Sequence, residues 1–320
     1  MIVRWGLEEL QPLLDTLGIG RPFLIASDRW ADLPLPGTGR WNEVPSDRIA
    51  ELVAAAEGAD GLLAVGGGSA IDLAKAASAE TGLPIVSVPT TYSGAEWTGF
   101  FGVRNHDRRI KGGGAGPQPV AIVYEPRLML DLPREQSGGT ALNALAHCAE
   151  ALYAAGRNPE AERHALEGAR IIGDALPKVL DDGHDLQART ALLEGAQQAG
   201  AALASAGLAL GHAMAQALGG RFGIAHGAAN ALCLPPALRF NEPVAGPEIR
   251  RFGDALGADD PVARVEDLGR ASGFSRLRDL GVPENELDAV AQAAAVRGGA
   301  KANPRPASPA QIAELLREIW

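Results

Sequence analysis

Short apolar runs alternate with stretches of helical spacing over the first third of the chain. Phe23-Leu24-Ile25-Ala26-Ser27 follows Arg21-Pro22 and closes on Asp28, and similar runs occupy residues 61–65, 84–88 and 120–124. Uninterrupted runs of this length predict strands buried on both faces of a parallel sheet. Residues 70–79 place apolar side chains at helical spacing between two of them, giving a βαβ unit. After Asp131-Leu132-Pro133 the pattern changes to long Ala- and Leu-rich stretches of helical period. Breaks are expected at Gly156, Gly183, Gly219 and Asn241-Glu242-Pro243, and Pro34 to Gly39 reads as a loop. The pattern predicts an α/β, Rossmann-like dinucleotide-binding domain over residues 1–136 and an all-α domain over 137–320.

Composition narrows the partners. A 320-residue chain with 46% hydrophobic and 21% charged residues is long enough for two cores. A net charge of -10 opposes attraction to nucleic acid or to an acidic membrane surface, which leaves small molecules as the expected partners. Residues 199–220 are long and apolar enough for a bilayer, yet Ser205, His212 and Gln216 interrupt them, so a buried helix is expected. Cys148 and Cys233 form neither a CxxC pair nor a disulfide framework. With an N-terminus that lacks a basic start and apolar run, this points to a reducing cytoplasm.

Val65-Gly66-Gly67-Gly68-Ser69 sits where a strand ends and a helix opens, and unpaired amides with the helix dipole favour an anion there. Glycines allow close approach and positive φ, and Ser69 is expected to cap the helix or meet a phosphate oxygen. A ligand-free glycine turn fits the three glycines alone equally well. Asp28, at the end of the first run, suits either a ribose diol, favouring NAD(H) over NADP(H), or a turn.

The longer string Gly-Gly-Gly-Ser-Ala-Ile-Asp-Leu-Ala-Lys, residues 66–75, resembles the signature of the iron-containing alcohol dehydrogenase superfamily, which has a dehydroquinate synthase-like fold and includes the maleylacetate reductases. The resemblance implies that Gly66, Gly67, Gly68 and Ser69 meet a nicotinamide dinucleotide pyrophosphate. Asp72 and Lys75 also match, although an ion pair on a solvated helix face accounts for them too. Pro89-Thr90-Thr91-Tyr92-Ser93-Gly94-Ala95-Glu96 resembles the threonine-rich cofactor loop, with Tyr92 as in maleylacetate reductases, and Lys111 resembles a lysine near the cofactor ribose. Relatives carry a further strand and helix before the glycine turn. Only 33 residues, Arg29 to Gly61, are available here, so a trimmed sheet edge is expected.

In the helical half, Asn143 and His147 share a helix face, and His212 and His226 keep the family's 14-residue interval. Metal-dependent relatives hold iron or zinc with an aspartate and three histidines at these places. Here the aspartate is Asn143, a poor ligand for a divalent ion, as in the maleylacetate reductases. A metal-free pocket is therefore favoured; if a metal binds, Asn143, His147, His212 and His226 are its expected ligands. Gln216 replaces a histidine common in relatives and cannot relay a proton, so His212, His226, Tyr92 or water must take the acid role. His106, His164 and His184 are expected at the surface. The resemblance implies a cytoplasmic, homodimeric enzyme in which NADH reduces an unsaturated or oxo carboxylate such as maleylacetate, in aromatic degradation. The enolate would be met by the histidines and by Arg108, Arg109 and Lys111, with Arg221 as a carboxylate clamp. The alternatives are a metal-dependent alcohol dehydrogenase or aldehyde reductase, and an NAD-binding protein that has lost catalysis.

Overall fold

The computed structural model describes residues 1–105 and 110–320, with Ile110 and Lys111 described by backbone alone. The expectations for His106, Arg108, Arg109 and the Lys111 side chain fall outside the described residues. Contacts divide the chain into two compact units, one of Met1–Thr91 and Ala95–Met129, the other of Tyr92–Gly94 and Leu130–Trp320.

The first unit contains β1 (Ile2–Trp5), α1 (Leu10–Leu17), β2 (Pro22–Ile25), β3 (Gly39–Trp41), α2 (Ile49–Ala55), β4 (Gly61–Gly66), α3 (Gly68–Thr81), β5 (Ile85–Pro89), β6 (Phe100–Arg104), β7 (Ile110–Ala115) and β8 (Ala121–Tyr124). Six strands form one parallel sheet in the order β1-β8-β5-β4-β2-β3, while β6 and β7 pair as a separate antiparallel hairpin. Successive side chains of the central strands go to opposite faces. Leu24, Leu63, Val65, Val86 and Val88 pack with Leu10, Leu13 and Leu14 of α1. Phe23, Ile25, Leu62, Ala64 and Ile85 pack with Leu52 of α2 and Ile71, Leu73 and Ala74 of α3. Burial on both sides explains why these runs carry no polar alternation. The sheet edge is shorter than a full strand–helix pair but not lost, because β3 and α2 occupy three and seven residues of the interval expected to be trimmed.

The second unit is helical: α4 (Arg134–Ala151), α5 (Pro159–Asp181), α6 (Leu186–Ala206), α7 (Leu210–Phe222), α8 (His226–Leu256), α9 (Pro261–Ala271), α10 (Leu287–Ala295), α11 (Gly298–Ala302) and α12 (Pro309–Glu318). Side-chain caps set several starts, since Asn158, Asp185 and Asp260 accept from the amides of Ala161, Ala188 and Ala263, and Ser308 forms a capping box with Gln311. Gly156 and Gly183 fall in connections as expected. Gly219, expected as a break, lies inside α7, which stops four residues later at Gly223 with φ 71°. Asn241-Glu242-Pro243 lies inside α8, whose backbone departs from helix geometry at Ala245, between Pro243 and Pro247. The single apolar helix expected over residues 199–220 is two helices bent by 100°, broken at Gly207 with φ 78°. Among the described residues no single helix is long and apolar enough to cross a membrane.

Glycine-to-glycine contact brings α4 against α8. A Cβ on Gly227 would overlap the Gly139 carbonyl and lie 2.9 Å from the Thr140 amide nitrogen. Both neighbours are backbone, so neither can move aside cheaply. Gly227→Ala is expected to lower the unfolding free energy by about 1–3 kcal/mol, read from urea denaturation, because overpacking must separate the two helices.

Candidate active site

Two sets of candidate residues exist, one on each unit. On the first, β4 ends beside β2, where successive strands turn from adding on one side of the sheet to adding on the other. Gly66 closes β4 at φ 154°, with its would-be Cβ 2.8 Å from Ala70 Cβ. Gly67 is the extended N-cap of α3, and a Cβ there would be 2.9 Å from Thr91 Cγ2. These positions therefore need glycine, while the first amides of α3, from Gly68 and Ser69, have no acceptor within the helix. Thr90 is buried, and its amide donates to the Gly66 carbonyl at 3.0 Å. Thr91 Oγ1 is buried without a partner against the same turn. A pyrophosphate oxygen fits that orphaned hydroxyl and those amides. Ser69 does not cap the helix; it lies one residue inside it and is half-buried.

Asp28 stands past the end of β2 in an exposed short turn, Asp28–Trp30, where its Oδ1 accepts from Asn42 Nδ2 at 2.9 Å. Lys75 is not on a solvated face. It is fully buried, donates to the carbonyls of Ala95 (2.6 Å) and Phe100 (2.7 Å), and stands 3.6 Å from Asp72, whose Oδ2 accepts from the Gly102 amide. The Asp72–Lys75 pair thus fastens α3 to the β6–β7 hairpin, and sequence spacing could not separate that job from a surface ion pair.

On the second unit, α4 presents Asn143, His147 and Glu150 at i, i+4 and i+7, which places them along one helix face. All three are buried. Glu150 Oε2 accepts from His212 Nδ1 at 2.7 Å and from the Ala209 amide at 2.6 Å, while Oε1 accepts from the His212 amide at 3.1 Å. The carboxylate therefore satisfies two amides at the start of α7 and sets the His212 ring with Nδ1–H toward itself, leaving Nε2 buried and unpartnered. The His147 and His212 rings stack with centroids 4.7 Å apart, and His226, half-buried on the first turn of α8, has its ring centroid 5.7 Å from that of His212. His147 Nε2 faces Asn143 Nδ2 at 3.4 Å, and its Nδ1 is buried without a partner. Burial, with His212 and His226 beside it, pushes the His147 pKa well below the ordinary histidine value.

Asn143 is held from two sides: its Nδ2 donates to the Ser93 carbonyl at 3.0 Å and its Oδ1 accepts from Asn230 Nδ2 at 2.6 Å. Asn230 lies one turn after His226 on α8, a four-residue spacing visible in the sequence. Glu150 was equally accessible as the i+3 neighbour of His147. Tyr92 is fully buried; its amide donates to Thr140 Oγ1 at 3.3 Å and its hydroxyl accepts from Arg189 Nη1 at 3.3 Å. Arg189, also buried, further donates to Ser137 Oγ (2.6 Å) and to the carbonyls of Leu132 (3.0 Å) and Gly183 (2.9 Å). This arginine carried no sequence signal, since nothing marks it as buried. His184 is exposed, whereas His164 is half-buried, with Nδ1 2.6 Å from Gln198 Oε1. Arg221 is already engaged by Glu286.

The donors do not fit a metal ion. Asn143 Oδ1, the oxygen among the expected ligands, already accepts from the Asn230 amide, and it is a neutral donor where a divalent ion is served by a carboxylate. Among the described residues no set of three His, Cys, Asp or Glu side chains is arranged to hold a cation.

Comparison with known proteins agrees across both units. Residues 41–126 match the iron-containing alcohol dehydrogenase profile, and residues 138–320 match the profile of that family's C-terminal region. The chain is 35% identical to maleylacetate reductase of Pseudomonas knackmussii over 330 residues, covering 98% of this chain and 93% of the relative. It is 38% identical to that of Burkholderia cepacia over 274 residues, covering 85% and 77%. The crystal structure of maleylacetate reductase from Agrobacterium tumefaciens superposes with a TM-score of 0.89 at 30% identity, covering 100% of this chain and 95% of that one. Parallel sheet, glycine turn and helical unit are thus those of an oxidoreductase class. The chain belongs to the iron-containing alcohol dehydrogenase family, within which it is most similar to the maleylacetate reductases.

The depressed His147 pKa has a sign that can be tested. An unfolded histidine takes up a proton near the ordinary value of 6.5 and folded His147 does not, so the unfolded state binds more protons below that pH. Stability is therefore complete above the unfolded pKa and lost as pH falls below it. The unfolding free energy is expected to drop by up to about 1.4 kcal/mol per pH unit from this residue between roughly pH 6.5 and the folded pKa, and His147→Asn should flatten that slope in urea titrations.

Proposed function

We propose that this chain is an NADH-dependent, metal-free reductase of an unsaturated oxo carboxylate, converting maleylacetate to 3-oxoadipate. The observation that carries the reading is the stacked, buried His147–His212 pair, each ring with one nitrogen free of protein partners and one ring backed by a carboxylate. Several curated maleylacetate reductases at 32–38% identity support the substrate.

NADH, when bound, supplies the hydride for the electrophilic carbon of the C=C bond. Gly66, Gly67, Gly68 and Ser69 would hold its pyrophosphate, with Thr90 and Thr91 beside it and Asp28 toward the adenosine ribose. Addition of hydride leaves negative charge on the oxo oxygen of the substrate. His147 stays neutral because it is buried, and its unpartnered Nδ1–H stabilises that oxygen as a fixed donor without a bound cation. The proton that completes the reduction goes to the adjacent carbon from His212 Nε2, the ring being held in orientation by Glu150 at Nδ1. Hydride and proton together balance the reduction. Asn143 positions His147 through the contact at Nε2, and His226 flanks His212. Tyr92 acts by position, with its hydroxyl held by Arg189, and His212 fills the acid role that Gln216 cannot.

The direct test is NADH oxidation with maleylacetate beside simple aldehydes and ketones, with chelator and with added zinc or iron. Turnover of maleylacetate that persists in chelator is expected; turnover confined to aldehydes and dependent on metal would overturn the reading. His212→Gln is expected to lower kcat on maleylacetate by roughly a hundredfold or more while NADH affinity, from fluorescence titration, stays within about twofold.

A further inference from the structure

Arginine is the side chain suited to a substrate carboxylate, and the one expected for that role, Arg221, is taken by Glu286. Arg297 differs. Among the described residues it is the one arginine withdrawn from full exposure whose side chain has no hydrogen bond, ion pair or ring contact, and its Nε is buried without an acceptor. Burial pushes its guanidinium pKa down, and among the described residues no acidic group opposes this. A buried N–H left unpaired, on a cation without a counter-charge, is costly in a folded protein unless something else supplies the acceptor.

Its backbone lies beside the helix that carries His212. Arg297 is the N-cap of α11, which packs on the first turn of α7: a Cβ at Gly299 would overlap the Ala209 carbonyl and lie 3.5 Å from Ala213 Cβ. Asn303, just after α11, accepts from the Leu210 amide at 3.3 Å. This is the turn whose amides bind Glu150 and which carries His212. Ala213 and Gln216, three residues apart, share one face of α7, and Gln216 is half-buried with its amide group unpartnered among the described residues.

Resting on the reductase reading above, we infer that Arg297 is a specificity-determining residue that binds a carboxylate of the substrate as a charge-assisted pair, with Gln216 as a second polar contact. In a chain of net charge -10, a doubly acidic substrate needs such a local cation, and the unmet Nε–H requires an anion more than a neutral aldehyde oxygen.

The test uses the intact enzyme with Arg297→Met and Arg297→Lys. Steady-state kinetics on maleylacetate are combined with calorimetric binding of adipate, a stable dicarboxylate, in the presence of NAD. Arg297→Met is expected to raise KM and weaken adipate by about tenfold to a hundredfold, with kcat within about threefold and Arg297→Lys in between. Its melting temperature should be equal or higher, because an unmet buried donor is removed. Adipate that binds wild type and Arg297→Met equally, or fails to bind wild type, overturns the assignment. So does a fall in melting temperature with NADH affinity lost alongside KM, the mark of a structural arginine. If adipate binding depends on Arg297 while wild type ignores maleylacetate, the substrate proposed above is wrong and the carboxylate site stands.

Discussion

The buried Glu150 carboxylate is the interaction on which the helical unit's chemistry depends. A charge removed from water must be met on every side, and this one is met by two amides and an imidazole N–H. The same three bonds start α7, join it to α4, and decide which nitrogen of His212 is left open. Packing reinforces the junction, since a side chain at Gly211 would come within 2.9 Å of Glu150 Oε1. Helix geometry and ring tautomer are therefore one constraint.

Around that anchor, two stacked imidazoles acquire unlike characters from unlike surroundings. His212 faces a carboxylate; His147 faces an amide and other rings, and its burial disfavours charge. One ring is suited to giving up a proton and the other to donating a hydrogen bond while neutral. The Asn143 amide, clasped by Ser93 and Asn230, keeps the second ring in place without adding charge. A carboxylate at position 143 would repel neither metal nor imidazolium, so the amide changes what the neighbouring histidine can be.

Much of this was legible because it is periodic. Strands buried on two faces read as apolar runs, Asn143 and His147 as a four-residue step, and the glycine turn as a break in side chains where β4 meets α3. What was missed depends on tertiary surroundings. β1 is a half-exposed edge strand, Ile2-Val3-Arg4-Trp5, whose apolar residues are too few to announce it, and the β7 strand passes through Gly112-Gly113-Gly114, which reads as loop. The bend at Gly207 interrupts a stretch whose composition does not change. Lys75, Glu150 and Arg189 look like surface charges in any linear pattern, because burial is decided by elements distant in sequence. The four-residue step from His226 to Asn230 was available and is the clearest omission.

The assignment of Tyr92–Gly94 to the second unit bears on modularity. Three residues in the middle of the sheet-bearing sequence find their partners, Thr140, Asn143 and Arg189, in the helical one. The chain consequently passes between units three times, after Thr91, after Gly94 and after Met129. No single cut yields two self-contained pieces: a gene fragment ending at Met129 would carry a tyrosine ring stripped of its burial, and the helical remainder would lack the carbonyl that holds Asn143. Recombination between relatives should therefore succeed when Tyr92–Gly94 travels with the helical half, and swapping of the sheet sequence as one uninterrupted block exchanges three residues whose partners lie in the other half.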